Sequence, residues 1–301
     1  MRLGIRYVTR FDYGGPVVES QNELRAGPTG EGHQQLVHYG GPTTPVARGR
    51  SHVDYWGTRV DTFGVVGPHE RLEVVAAATV ETSPRPAPDL SAPVAALADP
   101  GWRDEHLEFI QRSPHVAGGE AVRARARRIA TGVADVGTLM ARVEEDVAGL
   151  EYRRGRTDVG VAVEDVLAAG AGVCQDFAHV TIALLRELGV PARYVSGYFF
   201  AADDRTGAEA GDEVEVETHA WVEAAVPGAG WIAIDPTNRQ PVGERHVTIG
   251  RGRDYDDVAP LRGIYNGPRE HRLTVNVRMR RLAVAPRGAP GAPGPYPGGD
   301  A

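Results

Sequence analysis

The chain of 301 residues suits one large domain or two modest ones, and 42% hydrophobic with 24% charged residues excludes a disordered chain or a fibre. A net charge of −7 argues against nucleic acid as a partner. All 33 basic residues are arginine, so only the α-amino terminus could serve the chain as an internal amine donor. A single cysteine excludes an intrachain disulfide and a cysteine-rich zinc cluster. The segment Met1 to Tyr13 carries Arg2, Arg6, Arg10 and Asp12 and lacks the apolar stretch of a secretory leader. No window reaches the ~18 apolar residues of a membrane span. A cytoplasmic protein without membrane association is the expectation.

The first 80 or so residues read as short strands. Leu3, Ile5 and Tyr7 alternate, as do Leu72 and Val74, and Asp54 to Phe63 reads as strand, turn at Gly57, strand. Gly27 to Arg50, rich in Gly, Pro and Thr, reads as loop. His33, His38, His52 and His69 lack metal-ligand spacing and read as surface or loop residues. The Pro-rich break Thr82 to Pro88 marks a boundary, giving a β-rich domain over 1–82 and a second unit over 83–284. The Pro/Gly-rich tail 285–301 is expected to be disordered.

Beyond the break the period becomes helical. Trp102, His106, Phe109 and Ile110 share a face, and helices are predicted over Gly119–Ala130 and Val136–Leu150. The run Arg123, Arg125, Arg127, Arg128, with Glu120 nearby and Glu144, Glu145 and Asp146 on the next helix, reads as a solvated face rather than an anion site. A short helix Val163–Ala169 closed by Gly170 precedes an amphipathic one from Cys174 to Leu188, stopped by Gly189 and Pro191. Arg193–Phe200 reads as a strand and Asp203–Glu217 as an acidic loop, which could select cationic substrates, gate a cleft or be solvated. Thr218–Ala225 and Trp231–Asp235 then pair across the Pro227–Gly230 turn.

The chemistry concentrates in this last stretch. Gly170-Ala-Gly-Val-Cys-Gln-Asp176 places the only thiol at the start of a helix, where unpaired N–H groups and the helix dipole favour a thiolate and can stabilise an oxyanion. His219 lies on a predicted strand and Asp235 ends the next one, so a hairpin can bring imidazole and carboxylate together, with the helix presenting Cys174. That is a nucleophile, a base and an orienting acid.

Four ordered motifs carry a family resemblance: Gly172-Val-Cys-Gln-Asp-Phe-Ala-His179, Leu188-Gly-Val-Pro-Ala-Arg-Tyr-Val-Ser-Gly-Tyr198, His219-Ala-Trp-Val-Glu223 and Gly230-Trp-Ile-Ala-Ile-Asp-Pro-Thr-Asn238. They resemble the core of the bacterial transglutaminase-like cysteine peptidases. The first ~80 residues are similar to the β-rich N-terminal domain of that family, and Val242–Val247 and Gly252–Arg262 to its C-terminal segment. Thr218 stands where many relatives have Ser, and Ala-Gly-Ala-Gly precedes... the Cys where an Arg is common. The resemblance implies an α+β fold: a papain-like core, with a nucleophile helix packed on an antiparallel sheet, preceded by a β-rich domain. It implies Cys174 as nucleophile, His219 as general acid/base and Asp235 as orienting acid. The expected activity is amide hydrolysis of a peptide or protein through a thioester. The alternatives are transamidation onto an amine and a non-catalytic binding scaffold.

Gln175 and Tyr152 are candidates for the oxyanion and substrate pocket, against a helix-start and a core role respectively. His179, five residues past Cys174, lies about 140° around the helix and reads as structural. Trp221 and Trp231 read as sheet packing, and Arg253, Asp254, Tyr255 and Asp257 as an ion-pair network or a substrate groove. Zinc on Cys174, His219, Asp235 and His179 is disfavoured because no close ligand pair exists. No Asp-rich calcium loop is present, and no cofactor is expected.

Overall fold

A computed structural model describes residues 1–153, 160–201 and 213–283. The expected disordered tail lies outside the described residues, as does most of the acidic loop. Two antiparallel sheets organise the chain. The larger runs Gln34–Gly40, Arg59–Thr82, Arg2–Leu24, His271–Arg281, Glu213–Val216, with Leu261–Asn266 also on the Arg2–Leu24 strand. The smaller runs Gln240–Pro241, Gly230–Asp235, Thr218–Val226, Ala192–Phe199, His246–Gly252. The α+β architecture expected from the motifs is present, with the β-rich part first.

Several details differ from the sequence reading. The first 80 residues form two long strands of 23 and 24 residues rather than many short ones. Their register shifts between Asp12 and Glu19, so the alternation expected of a single strand breaks there and reads as separate pieces. The span Gly27–Arg50 is not only loop: it holds the strand Gln34–Gly40, the pair Thr43–Thr44 and the start of Gly49–Val53. Turn-rich composition masked these edge strands, whose residues are mostly not buried. The Trp102–Ile110 face is a six-residue helix, Pro100–Glu105, followed by a 3₁₀ turn. The described end of the acidic loop, Glu213–Val216, is an edge strand paired with His271–Arg281. The C-terminal strands, grouped by sequence with the 83–284 unit, pair with Arg2–Leu24 and so complete the N-terminal sheet.

The Cys174–Glu187 helix is the axis of the second unit. Phe177, Val180, Thr181, Leu184 and Leu185 are buried, and the helix packs against the Thr218–Val226 strand and the helices Glu120–Ala130 and Val136–Val147. At its far end Arg186 is buried and donates to the carbonyls of Ala192, Gln111 and Arg253, fixing the helix to the sheet and to the C-terminal loop. The arginine run is a surface ion-pair face, with Arg125 on Asp146 at 2.6 Å and Arg127 on Glu120 at 2.8 Å.

The two sheets share apolar packing. Tyr198, Phe200, Val247 and Ile249 of the smaller sheet belong to the same core as Leu3, Ile5, Tyr7, Leu72 and Val74 of the larger. Gln34 fastens the pair: its amide donates to Thr248 O (2.8 Å) and Thr29 O (2.7 Å), while its carbonyl accepts from Thr248 N (2.8 Å).

Gly197, opposite His219 in the sheet, is required by close approach. A Cβ there would lie 2.2 Å from Trp221 Cη2 and 2.3 Å from Val247 O. The absent side chain lets the Trp221 indole lie across the sheet, against His219 and His246. Gly197→Ala should cost about 1–3 kcal/mol of unfolding free energy, measured by denaturant titration.

Candidate active site

The Gly-rich turn before Cys174 has a local physical cause. A Cβ on Gly172 would lie 2.7 Å from Asp176 Cβ, so glycine admits the Asp176 side chain against the turn. Asp176 Oδ2 then accepts from Val173 N at 2.8 Å, tying the chain entering the helix to its first turn. Cys174 is the first helical residue and the only cysteine, half-buried and free. As a first-turn residue, its backbone N–H lacks an intrahelical acceptor.

His219 sits near the start of its strand and Asp235 at the end of the neighbouring one. The register, with Val222 opposite Ile234, carries on to place Asp235 one diagonal step from His219 on the same face. His219 Nε2 donates to Asp235 Oδ2 at 2.8 Å. Cys174 stands beside the same imidazole on the cleft wall and helps to raise its pKa, and with Nε2 engaged by Asp235 the ring nitrogen left to face a thiol is Nδ1. The three residues singled out by sequence therefore meet.

They meet at the wall of an open cleft of about 1020 Å³. Cys174, His219, Gln175, Tyr152, Phe199 and Asn238 line it from the core, and Glu215, Val216, Val275 and Val277 from the edge of the larger sheet. Gln175 and Tyr152 both line the cleft, and the Tyr152 ring stands edge-on to Phe177 at 6.2 Å. His179 is buried away from the cleft, stacked on His115 at 5.3 Å, with Nε2 accepting from Tyr255 N at 3.3 Å. The Arg253–Asp257 group is a network rather than a groove, with Arg253 on Asp257 at 2.9 Å and Asp254 Oδ2 accepting from His115 N. Trp221 is fully buried in the sheet, and Trp231 packs on Phe109 beneath the Arg193 guanidinium.

Sequence reasoning missed two site residues. His246, from the strand His246–Gly252, places Nε2 3.0 Å from Asp235 Oδ2, and Asn238 Nδ2 donates to the same oxygen at 2.8 Å. His246 was visible only as part of the Val242–Val247 motif, and nothing local shows that a strand three places across the sheet would aim it at Asp235. His219, Asp235 and His246 lie close enough to be compared with a metal site, but both Nε2 atoms already face one carboxylate oxygen as hydrogen-bond donors. His115, Asp254 and Asp256 form a second such group, in which His115 Nε2 pairs with Asp256 at 3.0 Å. We assign a metal to neither.

The electrostatics follow the contacts. Burial alone would depress the His219 pKa, but hydrogen bonds to Asp235 and Cys174 and their negative charge outweigh it and raise it to about 9. For Asp235, burial would raise the pKa, and donors from His219, His246 and Asn238 instead hold it well below the usual carboxylate range. Burial holds His246 below its ordinary value despite Asp235.

An antiparallel sheet, a thiol at a helix start and an imidazole–carboxylate pair in one cleft are the features of the transglutaminase-like class of fold. Comparison with known proteins agrees. Residues 123–236 match the family model of the transglutaminase-like superfamily, and residues 3–81 that of the bacterial transglutaminase-like N-terminal region. An uncharacterised protein of Mycobacterium leprae is 35% identical over 282 residues, 94% of this chain and 99% of that protein. A candidate cysteine protease from Cytophaga hutchinsonii shares the fold with a TM-score of 0.74 at 23% identity, covering 95% of this chain and 92% of that one. A protein-glutamine gamma-glutamyltransferase of Pseudomonas aeruginosa is 38% identical over 73 residues, 22% of this chain and 10% of that protein. The chain belongs to the bacterial transglutaminase-like family.

The raised His219 and lowered Asp235 pKa values set a pH window for stability. His219, raised above its unfolded value of 6.5, contributes fully below that pH and loses its contribution as pH rises through about 9. Asp235, lowered from 3.8, contributes above that value and loses its contribution as pH falls. Unfolding free energy should therefore decline between about pH 6.5 and 9, and denaturant titrations of His219→Ala should show a shallower decline.

Proposed function

We propose that the protein is a cysteine-nucleophile amide hydrolase acting on peptides or proteins through a thioester. The observation that carries this reading is the contact of Cys174 with His219, itself held by Asp235, on the wall of an open cleft. The Cys174 thiolate attacks the amide carbonyl, and the oxygen becomes an oxyanion facing the Cys174 backbone N–H and the Gln175 side chain. The carbonyl re-forms, the C–N bond breaks, and the His219 imidazolium gives its Nδ1 proton to the leaving amine. Neutral His219 then takes a proton from water, whose hydroxide attacks the thioester. The C–S bond breaks to release the carboxylic acid, and the thiolate–imidazolium pair returns. Asp235 keeps the imidazole oriented and stabilises its charged form throughout.

Transamidation is the second reading, favoured by the similarity over 73 residues to a protein-glutamine gamma-glutamyltransferase. It differs only in the acceptor: a primary amine attacks the thioester in place of water. Such an activity would have no lysine of its own chain to modify, since all 33 basic residues are arginine.

Iodoacetamide should alkylate Cys174 rapidly at neutral pH, and His219→Ala should slow it at least about tenfold. A slow thiol indifferent to that substitution would overturn the catalytic reading in favour of a binding scaffold. Incubation with a glutamine-containing protein and a labelled primary amine separates the two reactions. Ammonia or new termini without label are expected, and Cys174→Ala should abolish them. Incorporated label would replace hydrolysis by transamidation.

A further inference from the structure

Asp235 is the most heavily hydrogen-bonded carboxylate of the site, and its side chain has no exposure. Oδ1 accepts from Thr237 N at 3.0 Å and Asn238 N at 3.1 Å. Oδ2 faces three donors: His219 Nε2 at 2.8 Å, Asn238 Nδ2 at 2.8 Å and His246 Nε2 at 3.0 Å. Of the first four, one comes from His219 on the neighbouring strand and three from Thr237 and Asn238 in the turn that follows Asp235. The fifth comes from the far edge of the sheet, across the Ala192–Phe199 strand.

His246 is arranged to donate and nothing else. Gly243 N donates to its Nδ1 at 3.2 Å, so that nitrogen carries the lone pair and the ring proton sits on Nε2, facing Asp235. The ring is 1% exposed, 4.7 Å from Phe199 and 5.3 Å from the Trp221 indole, which meets it edge-on. A protonated ring would carry two N–H groups, one of them against the Gly243 N–H.

Resting on the triad reading above, we propose that His246 is a positioning residue: a neutral, tautomer-locked imidazole that fixes Asp235 Oδ2 and shares its charge with His219. The sharing has a chemical use. A carboxylate facing only the catalytic ring would hold the imidazolium proton more tightly and slow its transfer to the leaving amine. Each further donor on the same oxygen, Asn238 Nδ2 and then His246 Nε2, weakens that hold while keeping the carboxylate ionised and aimed. The other charged or titratable groups around the two rings are Cys174 from its helix and Arg85 near His246, with His33 on the His246 backbone carbonyl and Glu215 and Glu217 on the cleft wall.

The test is the titration of both imidazoles in protein carrying ¹⁵N-histidine, followed by proton–nitrogen correlation from about pH 5 to about pH 10. His246 should stay neutral with an unprotonated Nδ1 across this range. In His246→Phe, which keeps the ring and removes the donor, the His219 titration should move up by about one unit. His246→Gln, whose amide N–H replaces Nε2–H, should stay within about 0.3 unit of the wild type. Should the Phe variant not fold, as read by near-UV circular dichroism, His246→Asn gives the same comparison, because its shorter amide does not reach Asp235. A charged or Nδ1-protonated His246, or an unmoved or lowered His219 titration in the folded variant, overturns the proposal; a merely structural ring would change stability and leave the titration in place. Iodoacetamide alkylation on the same samples keeps the two readings apart. Slow alkylation indifferent to His219→Ala sinks the nucleophile reading even if His246 keeps its tautomer, whereas fast alkylation with no His219 shift sinks only the role of His246.

Discussion

A carboxylate sealed from water must be either neutral or surrounded by donors, because desolvation penalises the charge heavily. Asp235 takes the second course, with backbone N–H groups on one oxygen and side-chain donors from three residues on the other. Much of the surrounding architecture serves that arrangement. The hairpin turn brings Thr237 and Asn238 back onto Oδ1, the sheet register sets His219 one diagonal step away, and the far strand contributes His246. The charge that survives makes the imidazole basic, and the basic imidazole is what the thiol meets.

The sheet does this only because its interior is sculpted at one point. Gly197 leaves room for Trp221 to lie across the sheet, and the indole buttresses both histidines. Behind that layer Tyr198, Phe200, Val247 and Ile249 rest on an apolar backing of Leu3, Ile5, Tyr7, Leu72 and Val74 from the larger sheet. The N-terminal strands also reach the cleft indirectly, since His271–Arg281 and Glu213–Val216, which extend their sheet, contribute Val275, Val277, Glu215 and Val216 to its wall. The Cys174 helix brings the thiol from the opposite side, anchored at its far end by the buried Arg186. The site is a junction of three separately braced elements rather than a loop on a scaffold.

What was legible in the sequence followed the range of the forces involved. The Cys174 helix, the Gly170 stop and the paired strands around His219 and Asp235 are written in local periodicity and turn chemistry, and they appear within a residue or two of their expected bounds. The convergence of Cys174, His219 and Asp235 could be anticipated because a hairpin and a helix start leave few geometries open. The long strands of the first 80 residues were read as fragments, because a register shift breaks their alternation. His246 and the return of the C-terminal strands to the first sheet were not legible, since strand order across a sheet is a long-range property without a local signature.

The strands Ala192–Phe199 and His246–Gly252 belong to two apolar interiors at once, with Ala192 and Tyr194 in the helical core and Tyr198, Val247 and Ile249 in the β-rich one. This shared wall removes the freedom of a true cassette. Detached from its N-terminal partner, the transglutaminase-like core would bare a greasy flank directly behind its own histidines. A chain carrying this core alone would have to re-cover that flank or redraw it in polar residues.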